Sequence, residues 1–206
     1  MKKLTVFITA FFIAAVLTAC GSQPKIASEI VQAAEGHSVY NGNGFSFSYD
    51  PAKWSDMAAA LDGVGDAAAE LGVEISDEQV QEMNDGVFVY TPDQAVNFNV
   101  VVNEGGHNGK KVDYAAVAEE MESQYGAMSG IDFLGYETIQ TNGYEYLKLK
   151  IQVSEAVFGV GMKMDQYAFF TKDKNYVITF TAADGSYDSA AGAFSEVLAT
   201  FVYDEN

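Results

Sequence analysis

From about residue 132 to residue 183, apolar and polar side chains alternate in segments separated by very short turns. Alternation puts successive side chains on opposite faces of a strand, and a two-residue turn joins antiparallel neighbours. Asn142-Gly143 is such a turn, since both residue types tolerate the positive φ that a tight hairpin demands. Lys172-Asp173-Lys174-Asn175 closes a second hairpin. The spacing predicts strands over about 132–140, 144–154, 158–171 and 175–183. Leu147, Leu149, Ile151 and Val153 alternate with Lys148, Lys150, Gln152 and Ser154. Tyr176, Ile178 and Phe180 alternate with Val177, Thr179 and Thr181, so both strands present unequal faces. Gly159 and Gly161 fall inside the third strand and read as a bulge or bend.

Helices precede, interrupt and follow these strands. Phe45, Phe47 and Tyr49 alternate with Ser46 and Ser48, and Asp50-Pro51 stops that strand. Met57, Leu61, Val64, Ala68 and Leu71 recur at three and four, which predicts a helix from Ser55 to Leu71. A second acidic helical stretch starts at Ser76 and closes at Gly86. Strands follow at 87–90 and 96–102 around Pro92-Asp93. A helix beginning near Asp113 puts Tyr114, Val117, Met121, Tyr125 and Met128 on one stripe and leaves Glu119, Glu120 and Glu122 off it. The last helix, 187–198, turns Tyr187, Ala191, Phe194 and Leu198 inward, and Phe201 to Tyr203 finishes as an edge strand. Hairpin-linked strands with helices around them imply an α+β domain, an antiparallel β-sheet covered by helices. No internal repeat interrupts residues 43–206, which read as one globular domain.

The order of elements resembles the PsbP-like family, an α/β/α sandwich. The local mark is a Gly44-Phe45-Ser46-Phe47 strand running into Tyr49-x-Pro51-x-x-Trp54. The resemblance covers about 43–203 and implies that Trp54 closes the end of the sandwich against the following helix. Function does not transfer on a fold of this kind, because it hosts unrelated roles.

The first twenty residues specify an address. Met1-Lys2-Lys3 is a short basic start, and Leu4 to Ala19 is a run of sixteen residues broken only by Thr5, Thr9 and Thr18. That is the shape of a secretory signal, and it falls short of the roughly 20 apolar residues of a spanning helix. Leu17-Thr18-Ala19-Cys20 resembles the lipobox of bacterial lipoproteins, and the only Cys of the chain occupies the position that the motif requires. The resemblance implies cleavage after Ala19 and a diacylglyceryl group on the Cys20 sulfur. Residues 1–19 then form the lipoprotein signal peptide and 20–42 a lipidated tether carrying a weak short helix. Two acyl chains satisfy the requirement for stable anchoring. The location implied is the extracytoplasmic face of a bacterial plasma membrane.

Charge removes other classes. The 206 residues hold 11 basic groups, all Lys, against 29 acidic ones, a net charge of −18. Losing residues 1–19 takes two Lys away, leaving 187 residues at −20. A polyanion without Arg is a poor ligand for nucleic acid, and an anionic membrane surface repels it. A single Cys excludes an internal disulfide and a Cys-rich zinc site.

No catalytic residue, metal ligand or cofactor-binding residue stands out. His37 lies in the tether and His107 in the loop Gly105-Gly106-His107-Asn108-Gly109, neither of which offers the scaffold that a nucleophilic triad needs. Asp184-Gly185-Ser186-Tyr187-Asp188 lacks the spacing of a calcium loop and reads as an Asp N-cap before the last helix. Trp54, Tyr144, Tyr146 and Tyr167 could line a ligand groove, but aromatics are ordinary on half-buried strands. These residues describe a noncatalytic binding or assembly module, held to the membrane through Cys20 and serving an envelope protein or small ligand. The alternative is a small-ligand or divalent-cation binding lipoprotein associated with an envelope transporter.

Overall fold

The computed structural model describes residues 34–57 and 86–203. Its elements are β1 (Ser38–Asn41), β2 (Phe45–Tyr49), β3 (Trp54–Asp56), β4 (Val87–Tyr90), β5 (Val96–Glu104), α1 (Tyr114–Gly126), β6 (Ile131–Thr141), β7 (Tyr144–Val153), α2 (Glu155–Phe158), β8 (Met162–Phe170), β9 (Lys174–Ala183), α3 (Tyr187–Leu198) and β10 (Val202–Tyr203). Seven strands form one sheet in the order β3-β4-β5-β9-β8-β7-β6, and three form a second in the order β10-β2-β1. Every pairing is antiparallel. Helix α1 covers one face of the large sheet, while α3 and the small sheet cover the other, so the layers run α/β/α.

Local chemistry explains the elements that were legible. Asn142 (φ 50°) and Gly143 (φ 79°) both adopt the left-handed backbone of a tight hairpin, and β6 pairs with β7 in register across them. Asp113 caps α1, its Oδ1 accepting from the amides of Ala115 and Ala116. Val117, Met121 and Tyr125 are buried on its inner face, with Glu119, Glu120 and Glu122 in solvent.

Elsewhere long-range pairing overrides the local pattern. The helix expected from Ser55 does not start there. Trp54 to Asp56 is strand β3, with Trp54 opposite Tyr90 and Asp56 opposite Phe88, because the exposed main chain of β4 recruits it. The rest of that expected helix, and the one from Ser76, lie outside the described residues. Ser38–Asn41, assigned by sequence to the tether, pairs with β2 through a turn in which Gly44 takes φ 78°, and Tyr40 meets Phe88 edge-on at 5.2 Å. The strand expected over 158–171 begins only at Met162. Gly159, with φ 76°, closes the single turn α2 instead of forming a bulge. The bulge of the sheet lies on β6 between Phe133 and Gly135, where Gly135 takes φ 112°. The second hairpin is shifted by one residue, its loop running over 171–173 because Lys174 already belongs to β9.

Candidate functional site

Leu17, Thr18, Ala19 and Cys20 lie outside the described residues. The aromatics considered as a groove are interior: Trp54, Tyr144, Tyr146 and Tyr167 all belong to the core between the two sheets and α3. Trp54 is 1% exposed, as its position after Pro51 suggests, but its neighbours are Phe98 at 4.8 Å and Tyr90 at 5.0 Å. It is packed by strands of the large sheet, because β3 carries it there.

Both histidines are held more firmly than the sequence suggests. His107 is buried in a loop clamped to the β8–β9 hairpin, its amide donating to the Thr171 carbonyl at 2.9 Å and the Asn108 amide to the Lys172 carbonyl at 2.8 Å. Gly106 makes this possible, since a Cβ there would stand 2.3 Å from the Thr171 carbonyl oxygen. The His107 Nδ1 accepts the Gly109 amide at 3.0 Å, and burial pulls its pKa below 6.5. His37 brings Nδ1 to 3.4 Å from the Ser48 hydroxyl. Ser48 is only 3% exposed, so that hydroxyl is closed to a substrate. The cleft beside it, lined in part by Asp50, Lys53, Trp54 and Glu196, has a volume of only about 10 Å³, room for about one water. That is below the roughly 300–1,000 Å³ of ordinary small-molecule sites.

Asp184 is not the cap of α3. Ser186 holds the N-cap position, while the Asp184 carboxylate accepts from Gln152 Nε2 at 2.9 Å. Among the described residues no group of three His, Cys, Asp or Glu side chains is placed to hold a metal, and no helix is long and apolar enough to cross a membrane.

Among the described residues the strongest concentration of buried charge is one that sequence reading missed. Asp165 on β8 is 4% exposed. Its carboxylate accepts from the Tyr167 hydroxyl at 3.3 Å, from the Tyr187 hydroxyl at the start of α3, and from Lys148 Nζ at 2.9 Å. Glu137 on β6 bridges Lys148 at 3.5 Å and Lys150 at 3.0 Å. Burial, reinforced by the Asp165 charge, raises the pKa of both tyrosines, so at neutral pH they stay protonated donors. Lys150 beside Glu137 lowers that carboxyl. The arrangement ties β6, β7, β8 and α3 together: its carboxylate is occupied by three donors and its ammonium by two carboxylates, a clamp and not a reactive dyad. One signal could have found it. Lys163 and Asp165 occupy the same alternating positions as the buried Tyr167 and Phe169, so β8 turns a charge toward an aromatic core.

No protein-family model and no curated protein matches the sequence. Solved structures do. The solution structure of cyanobacterial PsbP from Synechocystis superposes with a TM-score of 0.51 at 13% identity, over 88% of this chain and 98% of that one. The fold is PsbP-like. Also similar are the immunity protein TplEi of Pseudomonas aeruginosa (TM-score 0.48, 8% identity, 83% of this chain and 99% of that one) and LpqN of Mycobacterium tuberculosis (0.46, 14%, 64% and 76%). At these identities the likeness to PsbP concerns the fold alone, the α+β sandwich that the hairpin pattern implies.

Proposed function

We propose that this chain is a lipid-anchored, noncatalytic binding or assembly module at the extracytoplasmic face of a bacterial plasma membrane. The observation that carries the reading is Leu17-Thr18-Ala19-Cys20, the chain's only Cys behind an apolar run too short to span a bilayer. The domain behind it supports a binding role. Among the described residues Trp54, Tyr144, Tyr146 and Tyr167 are spent on the core, the Asp165 carboxylate is neutralised by a clamp, and the cleft beside Ser48 is small for a metabolite. Affinity then resides in the outer surface.

Metabolic labelling with palmitate and membrane fractionation of the full chain test the anchor. The wild type incorporates label and partitions with membranes. Cys20→Ser carries no label and is found as uncleaved precursor or released, with the domain still folded. A Cys20→Ser protein that is processed normally and stays on membranes refutes the anchor.

A further inference from the structure

The large sheet ends in β6, an eleven-residue strand that pairs with β7 on one side and with no described residue on the other. An open edge presents unpaired amides and carbonyls, which another extended segment can satisfy. Two of the five exposed large apolar side chains of the described residues, Leu134 and Tyr136, lie on β6, and a third, Val157, lies on α2. Leu134 is the most open, at 59%. Val157 sits against Gly130, immediately before the strand, so α2 flanks the start of β6.

Charge selects the occupant. The elements that meet here, α1, β6 and α2, carry Glu119, Glu120, Glu122, Asp132 and Glu155 besides the Glu137 that pairs with Lys148 and Lys150, and not one Lys. The lysines facing β6 from β7, Lys148 and Lys150, are engaged by Glu137 and Asp165. A second copy of a chain this acidic is repelled. Beyond the bulge at Gly135, β6 runs unbroken to Thr141, turning Tyr136 and Thr138 to the α1 side and Glu137 to the other.

We infer that the outer edge of β6 is a docking edge for an extended, basic segment of a partner protein, added as an eighth strand. Its apolar side chains lie beside Leu134 and Tyr136, and its lysines or arginines alternate with them. This rests on the reading of the chain as a binding module and names the surface that binds.

The test uses the full-length chain in detergent and a capped seven-residue peptide of alternating Lys and Val. The expected results are salt-sensitive binding and slowed amide exchange confined to residues 135–141. The same peptide N-methylated at alternate residues, which keeps its side chains and loses strand pairing, and an alternating Glu-Val peptide should each bind about tenfold or more weakly. The surface variant Leu134→Ser/Tyr136→Ser, which removes the apolar contacts at constant charge, should lose a comparable factor at an unchanged melting temperature. No binding by wild type, equal binding of the N-methylated peptide, equal binding by the variant, protection elsewhere, or self-association through β6 overturns the proposal. Photo-crosslinkers placed in the native membrane at Thr138 and at sites away from β6 separate the two ideas. Partners captured only away from β6 sink the docking edge and leave the binding module standing. Capture from no position sinks both.

Discussion

The two faces of the large sheet are packed by different chemistry. Between it, the small sheet and α3 lies an aromatic core in which Phe47 stacks on Phe201 at 4.6 Å, meets Phe88 edge-on at 5.2 Å, and Phe169 stacks on Tyr203 at 4.4 Å. Under α1 lies a core of Val, Ile, Leu and Met with few rings. The aromatic core gathers residues from Phe45 to Tyr203, whereas the α1 core draws only on Val112 to Phe170. Rings hold fixed mutual orientations and do not flow into a gap, while Met and Leu adapt. The face that joins the first and last described strands is therefore also the one least able to absorb a change.

Removing a ring from the first core should give the largest loss. Trp54→Ala or Phe47→Ala is expected to cost about 3–5 kcal/mol, a large share of the roughly 5–15 kcal/mol that holds a domain. Urea melts measure it, and the only Trp reports on itself: native emission should be blue-shifted and poorly quenched by acrylamide. A red, freely quenched signal with a near-neutral Trp54→Ala melt would remove Trp54 from the core.

The clamp beside that core comes next. Lys148→Met strands the Asp165 carboxylate without its ammonium, and breaking a buried pair costs about 3 kcal/mol at the low end. The low end applies because the Lys148 side chain keeps 16% of its exposure. Adding Asp165→Leu to Lys148→Met should recover part of the loss, since two uncharged side chains leave no buried charge. Equal stability of the single variant and wild type would mean that Tyr167 and Tyr187 alone satisfy the carboxylate.

The α1 core should be more forgiving. Met121→Ala is expected to cost about 2 kcal/mol, and the volume-conserving Met121→Leu less than about 1.5 kcal/mol. If Met121→Ala proves as damaging as Trp54→Ala, the contrast between the faces fails.

Sequence legibility followed the same division. Helices α1 and α3 and the Asn142-Gly143 hairpin were readable because their signals are local: a stripe at three and four, an Asp at the cap, two residues that accept positive φ. The aromatic side was harder. That Trp54 would be buried was visible, but its partners were not, because β3 is three residues long and exists only through pairing with β4, more than thirty positions on. The clamp was illegible for a related reason. Glu137, Lys148, Asp165 and Tyr187 come from four elements, and only the register of β6, β7 and β8 aligns them. Likewise Asp184 was read as a cap because capping is a local rule, whereas its partner Gln152 is 32 residues away.

The smallest effect lies outside both cores, in the His107 loop. Burial holds the folded imidazole below its ordinary pKa of 6.5, so the unfolded chain binds the proton first as pH falls. The contribution of His107 is therefore fully present above about pH 6.5 and is lost as pH drops from there toward the folded pKa, below which it is constant. Glu137, lowered from 4.5 by Lys150, gives a second and lower window of the same sign, present above 4.5 and lost beneath it. Acidification also relieves repulsion in a chain of net charge −18, so the informative quantity is a difference between variants. In urea midpoints taken from pH 7.5 to 4, His107→Asn should flatten the first window and leave the second. Glu137→Gln should do the reverse. A His107→Asn protein whose midpoint falls as steeply as wild type between pH 7 and 5.5 would show that this histidine titrates freely, and that the contacts of Gly106 and Asn108 hold the loop without it.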